Sequence, residues 1–261
     1  MQAQWVRTKM LARHRGRQDW WRYYHSDLVR FIRAHYGAEE QLVWVEVGTA
    51  FGGTTNFVLS ELPHVVAHAV DPCRAGYDRT DGTAQVLDGY RRRGNMTHDE
   101  FSNAWAAALV MEQREQKRAC RYHLHRKLST EGAADFADAS IDVLFVDGLH
   151  TYEGVLSDLE AYWRKLKPRS LLILNDWKPP STCRCADCWK KARTHRCCPC
   201  AFTGVRRAGC EFLASKALET RIIEEGPVGR TNAAVVIGMQ SPLEVVDNNQ
   251  TCGRVLSIQR A

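Results

Sequence analysis

Residues 42–55 read Leu42-Val43-Trp44-Val45-Glu46-Val47-Gly48-Thr49-Ala50-Phe51-Gly52-Gly53-Thr54-Thr55. The first six are almost all apolar, as in a strand buried on both faces. A glycine-rich turn follows, and then a helix-compatible stretch, Thr54 to Leu62. Glycines let the backbone approach a ligand, and the helix start offers unpaired N–H groups. A tight turn needs glycine whatever it binds, so the next strand carries weight. Val65 to Val70 is again apolar and ends at Asp71-Pro72. Asp71 lies 23 residues after Gly48, about where an acid accepts hydrogen bonds from a ribose. Together the turn and the acid predict a nucleoside-containing cofactor.

The pattern repeats outward from this unit. Ile141 to Val146 is a strongly apolar strand ending at Asp147-Gly148, and Leu171 to Leu174 another ending at Asn175-Asp176. Helices are expected over Asp19 to Tyr36, from the Thr97 cap (capping box with Glu100) through Lys117, over Tyr152 to Leu166, and over Val205 to Leu218. Arg121 to Leu128 alternates as a strand does, whereas Arg74 to Asn95 reads as a polar segment. Thr220 to Glu225 and Ala233 to Met239 are strands joined by a Gly/Pro turn, which predicts an antiparallel hairpin. Alternating strands and helices predict an α/β fold: a doubly wound, Rossmann-like sheet of seven strands, mostly parallel, with a C-terminal antiparallel hairpin strand. The expected organisation is an N-terminal helical cap (1–38), a main domain (39–239) interrupted by a Cys-rich basic insert (178–200), and a tail (240–261).

Composition narrows the function classes. The chain has 261 residues with 44% hydrophobic and 25% charged, which excludes wholesale disorder. No run reaches the ~18 apolar residues of a membrane helix, so no membrane partner is expected. The net charge is +6. Six cations (Lys178, Arg184, Lys190, Lys191, Arg193, Arg196) and one anion (Asp187) concentrate most of it in the insert, and the nearly neutral remainder argues against nucleic acid as a partner. Met1 to Gln18 lacks an apolar signal core, so a cytoplasmic location is the default; its arginines leave organelle targeting open.

The motifs Glu46-x-Gly48-x-x-x-Gly52-Gly53-x-Thr55, Val70-Asp71-Pro72, Asp147-Gly148-Leu149-His150-Thr151-Tyr152-Glu153-Gly154 and Asn175-Asp176-Trp177 resemble the class I methyltransferases of the family 24 type. These include macrolide- and aminocoumarin-sugar O-methyltransferases and cephalosporin-hydroxylase-type proteins. The resemblance implies S-adenosylmethionine as cofactor, with Glu46, Gly48, Ala50 and Gly52 at its methionine end. It implies Asp71 on the ribose, Ser129 near the adenine, and Asp147 beside the cofactor as well as at the reacting centre. The implied reaction is methyl transfer to a hydroxyl of a small molecule.

Asp147 and Asp176 end two strands expected to be neighbours. With the amide of Asn175 they form a hard-oxygen set suited to Mg²⁺ or another divalent cation. The family commonly has two acids where this chain has Asn175-Asp176, which removes one negative charge. His150 has the intrinsic pKa of a general base for the acceptor hydroxyl, and is otherwise a helix cap. Tyr152 reads as packing. Trp177 reads equally as acceptor pocket or as cover.

Cys185-x-x-Cys188 and Cys197-x-x-Cys200 can surround a structural Zn²⁺; disulfides or reduced thiols are the alternatives. Cys73, Cys120, Cys210 and Cys252 read as isolated thiols. Two other functions fit the same residues. One is an iron-dependent oxidative enzyme of the cephalosporin-hydroxylase type using the same acids. The other is a non-enzymatic binding module in which the basic insert recruits a protein partner. A homo-oligomer is compatible with either.

Overall fold

The computed structural model describes residues 1–12, 21–37, 40–77, 82–177, 201–216, 221–223 and 234–237. The chain divides into two compact units, Met1–Asp135 and Phe136–Ala261.

In the first unit, β1 (Leu42–Val47), β2 (Val65–Val70) and β3 (Tyr122–His125) pair in parallel, in the order β3-β2-β1. Trp44, Val45, Ala67 and Ala69 are fully buried, as a strand covered on both faces requires. Helices α1 (Gln2–Val6), α2 (Trp21–Tyr36), α3 (Gly53–Glu61), α4 (Gly82–Arg93) and α5 (His98–Glu115) surround them, and one turn, α6 (Ser129–Gly132), follows β3. The capping box of α5 forms as expected: Thr97 Oγ1 accepts from the Glu100 N–H, and the Glu100 carboxylate accepts from the Thr97 N–H.

One helix departs from the sequence expectation. Helix α4 occupies the segment read as polar. Only Ala84, Leu87 and Tyr90 anchor it, and three arginines close it, so its apolar stripe is thin. The N-terminal segment, expected within the helical cap, is helical from Gln2 and continues beyond α1 as a π-helical stretch, Arg7–Leu11. Val6, Met10 and Leu11 are buried beside Phe101, Trp105 and Leu109 of α5, each worth about 1.5–3 kcal/mol. Arg7 adds ion pairs to Glu112 (3.1 Å) and Glu115. A segment read for targeting signals is thus part of this unit's core.

In the second unit, β4 (Ile141–Val146) and β5 (Leu166–Leu174) are parallel, and β7 (Ala234–Ile237) runs antiparallel to both β5 and β6 (Arg221–Ile223). Among the described residues the chain therefore has seven strands, of which β7 alone opposes its partners: a Rossmann-like α/β fold with a mostly parallel sheet. Helix α7 (Tyr152–Tyr162) ends in a 3-10 turn, Trp163–Lys165, and β5 begins at Leu166 rather than Leu171. The early start works through a bulge: Ile141 pairs with Leu166 while Val143 pairs with Leu171. Pro168, which has no N–H to donate, sits in that bulge. Helix α8 (Ala201–Ser215) packs on α7. The 178–200 insert and the 240–261 tail lie outside the described residues.

Candidate functional site

In the first unit the glycine turn is held in one conformation by long-range bonds. Gly48 and Gly52 have φ of 83° and 72°, in the left-handed region that favours glycine. A Cβ on Gly52 would stand 2.9 Å from Leu109 Cδ2, so glycine is needed there for space as well. Ala50, at φ 42°, adopts a costly conformation for a residue with a Cβ. Its N–H donates to Asp71 Oδ2 (2.9 Å) and its carbonyl accepts from Trp105 Nε1 (2.8 Å). The Trp105 bond left no trace in the local sequence, because Trp105 lies 55 positions further along a helix.

Asp71 is buried, and its second oxygen accepts from the Cys73 N–H at 2.7 Å. Burial raises its pKa above the ordinary carboxylate value, while N–H donors from Ala50, Cys73 and Thr49 pull it back. Glu46 is buried and its Oε2 accepts from the hydroxyls of Thr49 (3.2 Å) and Thr55. The acid therefore braces the turn from below, a role its spacing did not announce. Ser129 is half-buried at the start of α6.

In the second unit four predicted residues come together. His150 Nε2 lies 3.1 Å from Asp147 Oδ1 and 3.5 Å from Asp176 Oδ2. Asn175 Nδ2 donates to the same Asp147 oxygen at 2.7 Å. Burial raises the Asp147 pKa; His150 and the Asn175 amide lower it, and the Asp176 charge raises it further. Asp176 has φ 56°, a strained conformation of the kind found where a side chain must be aimed. Asn175 Oδ1 is buried with no hydrogen-bond partner. Among the described residues, no group of three or more His, Cys, Asp or Glu is arranged to hold a metal ion.

Helix α8 fixes the backbone beneath this cluster. A Cβ on Gly204 would collide with the His150 carbonyl oxygen and stand 2.5 Å from Tyr152 N. Tyr152 joins α7 to α8: its hydroxyl donates to Glu211 (2.5 Å), and the Arg207 guanidinium lies 4.2 Å from its ring centroid. Trp177 is buried, with Gly209 against its ring. Cys185, Cys188, Cys197 and Cys200 lie outside the described residues. Cys73 and Cys120 are free thiols, but Cys210 is in a disulfide, which corrects its reading as an isolated thiol.

A family described as a methyltransferase domain, number 24 of its kind, matches residues 45–177. The fold is similar to that of the O-methyltransferase TomG from Streptomyces achromogenes, involved in tomaymycin synthesis and solved in complex with SAM. That similarity has a TM-score of 0.54 and 14% identity, and covers 84% of this chain and 80% of TomG. A protein from Corynebacterium glutamicum is similar with a TM-score of 0.52 and 15% identity, over 89% of this chain and 91% of that one. At such identities the likeness is one of fold. The uncharacterized protein y4gI of Sinorhizobium fredii is 45% identical over 53 residues, 20% of this chain, and the match spans 6% of that relative's length. The matched region runs from the glycine turn through Asp71 and the Asp147–His150 pair to Trp177, and on that match the chain belongs to the class I methyltransferases of family 24.

Proposed function

We propose that the protein transfers the methyl group of S-adenosylmethionine to a hydroxyl oxygen of a small molecule, with a divalent cation assisting. The observation that carries this reading is the His150 imidazole set between the Asp147 and Asp176 carboxylates. A carboxylate that accepts from Nε2–H keeps the neutral ring in the tautomer whose other nitrogen accepts a proton. His150 takes the hydroxyl proton as the oxygen attacks the methyl carbon. The sulfonium–carbon bond breaks, and its electron pair stays on sulfur. The products are a methyl ether and S-adenosylhomocysteine.

Within this proposal Glu46, Gly48, Ala50 and Gly52 bind the methionine end, Asp71 the ribose and Ser129 the adenine. Asp147, Asp176 and the Asn175 amide would hold Mg²⁺. Both carboxylates reach one atom, and Asn175 Oδ1 is a buried acceptor without a partner. When bound, such an ion acidifies a coordinated hydroxyl and orients it. A structural Zn²⁺ on Cys185, Cys188, Cys197 and Cys200 belongs to the same proposal.

The test combines calorimetric titration of S-adenosylmethionine, with and without Mg²⁺, and transfer of labelled methyl to a panel of hydroxyl-bearing sugars and phenols. The expected result is near one-to-one binding, with His150→Asn keeping donor affinity and losing about 10²–10⁴-fold in transfer. No binding by a folded sample, or undiminished transfer by His150→Asn, overturns the reading.

A further inference from the structure

Residues 2–11 are helical without being long enough to sustain a helix alone. Five residues of α1 run into five of the π-helical stretch, short of the roughly 12–15 that an isolated helix needs in water. The order of this segment therefore comes from what it packs on, and that is helix α5. Val6, Met10 and Leu11 are buried beside Phe101, Trp105 and Leu109. Between them Arg7 Nε donates to Glu112 at 3.1 Å, and a second guanidinium nitrogen donates to Glu115. The Arg7 and Glu112 side chains are only 15% and 6% exposed, so this pair is less screened by salt than a surface one.

The same helix holds the glycine turn. Trp105 donates to the Ala50 carbonyl, and Leu109 Cδ2 is the atom that a Cβ on Gly52 would strike. Leu11 reaches the turn itself. With Phe51 and Leu109 it lines a cavity shared with Gly52, Gly53 and Asn56, the start of α3. That cavity has a volume of about 10 Å³, the room of a single water, so Leu11 is all but in contact with the turn.

We propose, on the methyl-donor reading above, that residues 2–11 are a strap, and that its docking on α5 and the binding of S-adenosylmethionine at the glycine turn stabilise each other. Undocking exposes the apolar face of α5 that carries Trp105 and Leu109, the two side chains that fix Ala50 and Gly52. Ala50, at φ 42°, is held in a costly conformation, so its shape depends on that support. A ligand that binds the held form of the turn favours the docked strap. By linkage the docked strap raises affinity for the ligand by the same factor. The strap lies outside the family match at residues 45–177, and Arg7 is its latch.

The test uses the full chain with S-adenosylmethionine as the probe. Amide hydrogen exchange over residues 2–11 is followed with and without saturating donor, which needs no variant to fold. A segment that opens without releasing the donor exchanges at the same rate in both states; coupled docking is expected to slow it about 5-fold or more. Calorimetry then compares wild type with Arg7→Gln, Met10→Ala and Arg7→Lys. The first two are expected to weaken donor binding about 5-fold or more, and Arg7→Lys, which keeps the charge, to recover most of the loss. Wild type that binds no donor overturns the strap together with the methyl-donor reading. Wild type that binds donor with unchanged exchange over residues 2–11, or Arg7→Gln with wild-type affinity, overturns the strap alone.

Discussion

Asp71→Asn tests how the glycine turn is held and what it holds. The carboxylate accepts two backbone N–H bonds, from Ala50 at 2.9 Å on one oxygen and from Cys73 at 2.7 Å on the other. A carboxamide has a single accepting oxygen, so whichever way it turns, its own N–H₂ meets one of those donors. One charge-assisted bond worth about 1.5–3 kcal/mol is lost, and a buried N–H goes unpaired at about 1–3 kcal/mol. Removing a desolvated charge offsets part of this, since burial already raises the Asp71 pKa. A net loss of about 2 kcal/mol is expected, seen as a lower midpoint in urea with an unchanged slope. Donor binding should weaken about 10–100-fold, the loss of one to two bonds from ribose hydroxyls to a charged acceptor. Calorimetry across pH separates the two effects. Because the folded pKa lies above the unfolded one, the native chain takes up this proton first. Asp71 therefore favours folding below the ordinary carboxylate range, and that contribution is lost as pH rises through the raised value. Donor affinity runs the other way: the wild-type Kd should rise as pH falls through the raised pKa, while the variant's stays flat. A folded variant with wild-type stability and wild-type Kd at neutral pH would refute the reasoning.

Three further outcomes are expected. Gly204→Ala places a methyl against the His150 carbonyl and Tyr152 N; overpacking should cost about 1–3 kcal/mol in chemical denaturation and reduce methyl transfer more than donor binding, because the displaced backbone carries His150. His25 is buried against Thr54 (3.2 Å), and burial lowers its pKa to about 4. Its unfolded form protonates first, so stability that is whole above pH ~6.5 should fall by about 3 kcal/mol on the way to pH ~4, and His25→Phe should flatten that part of an acid titration. Thr97→Ala removes the hydroxyl of the α5 capping box and should cost about 1 kcal/mol; an unchanged melting midpoint would show that α5 is held by its packing alone.

The sequence by itself determined the strands and what closes them. The β1, β2 and β4 segments have the expected bounds because an unbroken apolar run followed by an acid or glycine is a local instruction, and every contributing residue is a near neighbour in the chain. The Thr97 cap was legible for the same reason, with both partners within one turn. Asp71, Asp147, His150 and Asp176 could be nominated because each lies at or just beyond the end of such a strand. Only tertiary structure decided what those residues touch. That Trp105 holds the Ala50 carbonyl, that Glu46 is bound by Thr49 and Thr55, and that Gly204 lies under the His150 backbone are bonds and close contacts set by how elements pack. Helix α4 and the packing of the N-terminal helix were illegible on the same ground. Their apolar residues are few, and they are helical because α5 and its neighbours bury them, an energy no window of sequence contains.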